Sequence, residues 1–173
     1  VESGAGLGSH FSNELYTEAG ASVVDRGAMK DAAMFVQINM PEASVAKTLP
    51  KGSLWVSLMY HRSNSELIGA FNAEGVSVLS LDAIPRISRA QSMDVLSSQA
   101  NLAGYRAVIE GAYHLDKIFP MLMTAAGTVT PAKVLIFGVG VAGLQAIATA
   151  KRLGAVVEAT DVRPETKEQV QSL

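Results

Sequence analysis

The chain of 173 residues contains no cysteine, which excludes disulfides, thiol nucleophiles and cysteine-ligated metals. Only 17% of the residues are charged, and the formal net charge of −2 gives no reason to expect a nucleic-acid partner. The three histidines are unclustered in the sequence, so no metal site is predicted. No window is apolar for long enough to be a predicted membrane span. Because 49% of the residues are hydrophobic, the composition predicts a globular chain with a packed core.

A glycine cluster is the most informative feature that is present. Residues 138–143 read Gly-Val-Gly-Val-Ala-Gly, after an apolar run at 134–137 and before a helix-like stretch at 144–153. A second apolar run, 155–160, ends in Asp161. This order predicts a β-α-β unit that binds a dinucleotide: the glycines permit the sharp turn, the approach of the pyrophosphate and close packing of the helix. A glycine-rich turn without a ligand would not require the acid.

The acid also bears on which dinucleotide binds. Asp161 lies 23 residues after Gly138, where a carboxylate accepts hydrogen bonds from the adenosine ribose and repels a 2′-phosphate. This favours NAD(H) over NADP(H), although Arg163 is either an arginine that accommodates such a phosphate or a solvated turn residue. The predicted cofactor-binding residues are Gly138, Val139, Gly140, Val141, Ala142, Gly143, Asp161, Val162 and Arg163.

Alternating strand and helix patterns predict an α/β fold of two Rossmann-like domains with parallel sheets, joined by a long helix. We expect a first α/β domain over 1–93, a connecting helical segment without strands over 94–124, and the first half of a NAD-binding Rossmann domain over 125–173. Because the chain begins at Val1 and stops after one β-α-β unit, truncation at both ends is expected. The elements predicted in the first domain are helices at 11–19 and 65–74, a helix start within 41–51, and strands at 21–24, 34–38, 53–59 and 76–81. A loop is predicted at 125–131.

A polar run at 85–99 stands at the entry to the connecting helix. One interpretation is a solvated loop in which Ser92 or Asp94 caps the helix. The other is a loop facing the nicotinamide, whose amides and hydroxyls bind the carboxamide and ribose while an arginine–aspartate pair orders it. Both interpretations stay open on residue types alone.

The residues from 85 to 107 resemble the NAD(H)-binding component of the proton-translocating NAD(P) transhydrogenases. Residues 125–133, the glycine cluster and 159–164 share this resemblance, and the Arg-x-x-Arg-Ala-Gln-Ser stretch at 86–92 is far more specific than the glycines. The resemblance implies a loop at the nicotinamide that meets the domain binding NADP(H). The catalytic residues that it implies are Arg86, Gln91, Asp94 and Ser97.

The resemblance also implies a function. NAD(H) held here would exchange a hydride with NADP(H) held on a partner domain, and the complete enzyme would couple this to proton translocation. Hydride transfer is the cofactors' own chemistry, so no acid or base is required in this chain. The implied partners are the NADP(H)-binding domain, a membrane subunit and a second copy in a homodimer. The implied location is peripheral, on the cytoplasmic face of a bacterial inner membrane.

Alanine dehydrogenases share this architecture and provide the alternative, a soluble NAD-dependent amino-acid dehydrogenase. Such enzymes need a lysine and a histidine for their substrate. Gln37 and Asn39 stand where the lysine is expected, whereas His61 lies in the region of the histidine. A non-catalytic NAD(H) sensor is a third possibility, and the intact polar loop argues against it.

Overall fold

The computed structural model describes all 173 residues. The chain divides into two compact units, Val1–Gln91 and Ser92–Leu173. The helical segment predicted at 94–124 lies within the second unit, together with the glycine cluster. No helix in the chain combines the length and the hydrophobicity needed to cross a membrane.

The first unit contains a parallel sheet of three strands in the order β1 (Met34–Val36), β2 (Leu54–Ser57) and β3 (Ser77–Ser80). Helix α2 (Ser65–Ala73) connects β2 to β3, and helix α1 (Asn13–Glu18) precedes the sheet. The predicted α/β architecture with parallel strands is therefore confirmed. A β-α-β connection also places the carboxyl ends of β2 and β3 at the same edge of the sheet.

Aromatic packing between β2 and α2 forms the core of this unit. Trp55 is buried and stacks on Phe35 at 6.0 Å between ring centroids, while Phe71 of α2 meets it edge-on at 5.5 Å. The Trp55 indole N–H donates to the buried Ser57 hydroxyl at 2.9 Å, which satisfies both polar groups. These contacts fix the end of β2, after which the chain turns at Tyr60.

Two predictions in the first unit are wrong. The strand predicted at 21–24 is reduced to one isolated parallel bridge between Glu2 and Val24, because these segments pair at a single position. The helix start predicted within 41–51 is a 3₁₀ helix, Ala43–Thr48. Short 3₁₀ helices also cover Leu7–Ser9 and Arg26–Met29.

The second unit begins with helix α3 (Val95–His114), followed by an antiparallel hairpin of β4 (Leu122–Thr124) and β5 (Gly127–Val129). The loop predicted at 125–131 and the strand-free segment predicted at 94–124 are therefore both wrong in this region. Gly127 has φ +131, which lets the chain reverse there. Every residue of the two strands is exposed, so the alternating burial that marks a strand in a sequence is missing.

The predicted β-α-β unit is confirmed. It consists of β6 (Lys133–Phe137), α4 (Val141–Arg152) and β7 (Val156–Thr160), with β6 and β7 parallel, and helix α5 (Thr166–Gln171) follows. A core of small side chains lets α4 lie close to α3 and to the strands. Its buried members are Val108, Phe119, Ala132, Ala146, Ala150 and Ala155.

Candidate nucleotide-binding site

The glycine turn between β6 and α4 is closed by two of its glycines. Gly138 has φ +89, in the left-handed region that favours glycine, and its N–H donates to the Thr160 carbonyl at 2.8 Å. A Cβ on Gly143 would lie 1.9 Å from the Gly138 carbonyl oxygen, so a side chain cannot fit there. The first and third glycines therefore shape the turn, as the sequence predicted.

The middle glycine faces open space. Gly140 is the N-cap residue of α4, no side chain caps the helix, and a Cβ on Gly140 would meet nothing within 4 Å. The first backbone N–H groups of this 12-residue helix therefore point into an accessible region. Together with the helix dipole, they favour an anion such as a pyrophosphate. Val141 and Ala142 form the first turn beside this region, and Val139 is buried beneath it.

Asp161 follows β7 and reaches the same turn. Its side chain is only 6% exposed. One carboxylate oxygen, Oδ2, accepts the Val139 N–H at 2.7 Å, and the other, Oδ1, accepts the Arg163 backbone N–H at 2.8 Å. The Arg163 guanidinium beside it, with these backbone donors, holds the pKa of this carboxyl well below its usual range. Asp161 is therefore ionised and oriented at the turn.

The two residues after Asp161 differ in their contacts. Val162 is 97% exposed and provides only surface. Arg163 forms a fork on Asp161, with Nε 3.0 Å from Oδ1 and Nη2 3.0 Å from Oδ2, and Nη2 also donates to the Val139 carbonyl at 3.2 Å. Sequence analysis gave Arg163 two possible roles and missed this one.

The polar loop residues fall in both units. Arg86 and Gln91 are exposed in the first unit, where Gln91 lies on a 3₁₀ helix, Ser88–Met93. Asp94 is the N-cap of α3: its Oδ1 accepts the Ser97 N–H at 2.9 Å and its Oδ2 accepts the Ser97 hydroxyl at 2.7 Å. The capping interpretation is thus confirmed for Asp94 rather than Ser92. The catalytic roles of all four residues stay predictions.

Gly104 of α3 is a structural residue of this site that sequence analysis missed. A Cβ on Gly104 would lie 2.1 Å from the carbonyl oxygen of Ala142, in the first turn of α4. Helix α3 therefore touches the backbone that leads out of the glycine turn. A glycine inside a helical pattern was the available signal, because it is unfavourable there unless packing requires it.

A second polar cluster lies in the first unit, at the carboxyl ends of β2 and β3. Asp82 Oδ1 accepts three hydrogen bonds, from Met59 N–H at 2.9 Å, Tyr60 N–H at 3.0 Å and the Ser80 hydroxyl at 2.6 Å. Its Oδ2 lies 3.4 Å from His61 Nδ1. The turn is strained, since Tyr60 has φ +46. Sequence analysis noted His61 and missed Asp82.

Asp82 makes the stability of the first unit depend on pH. Burial raises the pKa of its carboxyl, but the hydrogen bonds from Ser80, Met59 and Tyr60 outweigh this and lower it from 3.8 to about 2. Because this folded-state pKa is depressed, ionised Asp82 stabilises the fold above pH 3.8, and this contribution is lost as the pH falls towards 2. We expect Asp82→Asn, which keeps an acceptor for the three donors, to lack that acid-dependent component. Urea unfolding from pH 7 to 2 measures it, and parallel pH profiles for the two proteins would contradict this assignment.

Comparison with known protein families decides the family. A model described as "Alanine dehydrogenase/PNT, N-terminal domain" matches residues 1–103, and one described as "Alanine dehydrogenase/PNT, C-terminal domain" matches residues 107–173. The chain belongs to the alanine dehydrogenase/PNT family.

Within the alanine dehydrogenase/PNT family, similarity is higher on the transhydrogenase side. The chain is 50% identical over 180 residues to the first of the separate chains that make up NAD(P) transhydrogenase subunit alpha in Rhodospirillum rubrum, covering 100% of this chain and 47% of that protein. Alanine dehydrogenase of Bacillus subtilis is 30% identical over 177 residues, covering 100% of this chain and 46% of that protein. The predicted resemblance is confirmed, and the chain spans about half the length of these relatives.

A solved structure of the alanine dehydrogenase/PNT family agrees with the fold. The transhydrogenase from Sinorhizobium meliloti has a TM-score of 0.95 and 52% sequence identity, covering 99% of this chain and 52% of that one. The two-unit α/β architecture with parallel strands is therefore that of a transhydrogenase structure.

Proposed function

We propose that this chain is the NAD(H)-binding part of a proton-translocating transhydrogenase, in which a hydride passes between NAD(H) held here and NADP(H) held on a partner domain. The observation that carries the proposal is the glycine turn with Asp161 beside it, in a chain 50% identical to a transhydrogenase alpha-subunit chain. The similarity to an alanine dehydrogenase is lower, at 30%.

The residues of the turn fit a dinucleotide. The open space over Gly140 admits a pyrophosphate against the N-terminal N–H groups of α4. The ionised Asp161 offers acceptors to the two hydroxyls of the adenosine ribose and repels a 2′-phosphate, which supports NAD(H) rather than NADP(H).

The polar loop supports a nicotinamide end for the site. When bound, the cofactor itself supplies the hydride chemistry, and the chain orients it and excludes water. We assign Gln91 and Ser97 to fixing the nicotinamide end, and Arg86 and Asp94 to shaping the loop. Asp94 already holds the Ser97 hydroxyl at 2.7 Å, so this donor has a defined direction. Ser97 lies about 10 Å along α3 from Gly104, the residue that touches α4.

The rest of the assembly belongs to the same proposal. The relative from Rhodospirillum rubrum is by name only a portion of one subunit, which supports partners that supply the NADP(H)-binding domain and the membrane portion. We further propose a homodimer, located peripherally on the cytoplasmic face of a bacterial inner membrane.

One observation favours an amino-acid dehydrogenase as a second candidate. His61 and Asp82 form a pair at the carboxyl ends of parallel strands, where open α/β sheets bind ligands. No lysine accompanies them at 37–39, however, and the Gln37 side-chain amide donates to the Asn39 carbonyl at 2.8 Å. Without that lysine, the group expected to polarise a substrate carbonyl is missing.

Nucleotide binding and hydride transfer test the proposal together. The full-length protein is titrated with NADH and NADPH, and the reduction of an NAD⁺ analogue by NADPH is then followed with and without the NADP(H)-binding partner. We expect NADH to bind more tightly and transfer to require the partner. Binding of NADH without transfer, together with turnover of alanine, would instead support the dehydrogenase.

Substitution of Gln91 tests the nicotinamide end. We expect Gln91→Asn to slow hydride transfer by about tenfold or more, because the shortened amide no longer reaches the position it holds, and misplacement by about 1 Å is costly for transfer. The affinity for NADH should stay within about threefold, since the pyrophosphate and ribose contacts are elsewhere. Gln169→Asn, at an exposed position in α5, is the matched control. An unchanged transfer rate in Gln91→Asn would remove Gln91 from the site.

A further inference from the structure

Every acceptor position of the Asp161 carboxylate is already used. An ionised carboxylate has about four lone-pair sites. Oδ1 accepts the Arg163 backbone N–H at 2.8 Å and Arg163 Nε at 3.0 Å, while Oδ2 accepts the Val139 N–H at 2.7 Å and Arg163 Nη2 at 3.0 Å. A ribose diol that donates to Asp161 must therefore replace two of these four donors.

The four donors differ in how easily they can leave. The Val139 and Arg163 N–H groups belong to the backbone, and the Arg163 carbonyl is fixed by the Thr166 hydroxyl at 2.7 Å and the Thr166 N–H at 3.2 Å. The guanidinium belongs to a side chain that is 52% exposed, so it can rotate into solvent without a backbone movement. Its departure frees one acceptor position on each carboxylate oxygen. Two adjacent hydroxyls of a ribose need that pair of positions.

We propose that Arg163 and the adenosine ribose compete for the same two acceptor positions on Asp161, so that the guanidinium leaves the carboxylate whenever a nucleotide ribose binds there. This inference rests on the proposed function, in which Asp161 holds the ribose. Arg163 is thus a positioning residue: its fork holds Asp161, and its Nη2 links that carboxylate to the Val139 carbonyl of the glycine turn.

The competition predicts that removal of the guanidinium strengthens binding. The exposed half of this ion pair contributes little in water, so the expected gain in affinity is about two- to fivefold. The gain must depend on the diol. Arg163→Met should therefore bind ADP more tightly than the unsubstituted protein does, and should bind 2′,3′-dideoxy-ADP, which lacks both hydroxyls, with unchanged affinity.

Calorimetric titration of the full-length protein with ADP, 2′,3′-dideoxy-ADP and NADH makes the test. Arg163→Lys keeps the charge but cannot form the fork, and is expected to show a smaller gain than Arg163→Met. Arg152→Met, at an exposed position in the last turn of α4, is the control and should change none of the affinities.

The outcomes separate the inference from the proposed function. A gain for ADP that is absent for the dideoxy compound supports the competition. An equal gain for both compounds, no gain, or weaker ADP binding by Arg163→Met would overturn it, the last because the guanidinium would then contact the bound nucleotide. If the unsubstituted protein does not bind NADH, the proposed function and this inference both fall.

Discussion

Replacing Gly143 with alanine is expected to destabilise the second unit by about 3 kcal/mol and to reduce NADH affinity by about 10- to 100-fold. The new methyl group would lie 1.9 Å from the Gly138 carbonyl oxygen and 2.9 Å from its carbon, and a backbone group cannot rotate away as a side-chain end can. The turn between β6 and α4 must therefore open. Opening displaces the N–H groups at the start of α4 from the place where a pyrophosphate is proposed to lie. Urea unfolding and NADH titration measure the two effects.

Gly140→Ala is the matched control for Gly143→Ala, because both lie in the same turn. A Cβ on Gly140 meets nothing within 4 Å, and the φ of −86° suits alanine, so stability should change little. The methyl group would nevertheless project into the space proposed for the pyrophosphate, so we expect NADH affinity to fall by about tenfold. If Gly140→Ala bound NADH normally, the pyrophosphate would not lie over this glycine. If Gly143→Ala were as stable as the unsubstituted protein, the close approach would be wrong.

The β-α-β unit could be predicted because its signals are local. The apolar runs, the glycine spacing and the acid after the second strand all lie within residues 134–161, and each is read without knowing any distant contact. The same reasoning predicted the alternation of strands and α2 in the first unit. The hairpin of β4 and β5 escaped it, because three-residue strands exposed on both faces carry no alternating pattern.

The contacts that organise the two polar clusters could not be predicted in this way. Asp82 meets Met59 and Tyr60 across 23 and 22 residues of sequence, and the pairing of β2 with β3 brings them together. The Arg163 fork follows from the direction of one side chain relative to Asp161, two residues earlier. Residue spacing states which groups are available, whereas their orientation depends on the folded backbone.

Gly104 illustrates a long-range contact that carries a large expected effect. It lies inside α3, and its closest approach is to Ala142, in the first turn of α4. Gly104→Ala places a methyl group 2.1 Å from the Ala142 carbonyl oxygen, so α3 and α4 must separate by about 1 Å. We expect a loss of about 1–3 kcal/mol in the free energy of unfolding, since neither backbone can yield locally.

The same separation should weaken function, because the first turn of α4 is proposed to hold the pyrophosphate. A shift of about 1 Å in a positioning element can cost up to about 100-fold, so we expect Gly104→Ala to reduce partner-dependent hydride transfer by at least about tenfold. Gly111→Ala, in the same helix, is the control: a Cβ there meets nothing within 4 Å, and alanine should raise stability by about 0.5–1 kcal/mol. If the two alanine variants behaved alike in unfolding and in transfer, helix propensity alone would explain both, and the contact between α3 and the turn would carry no function.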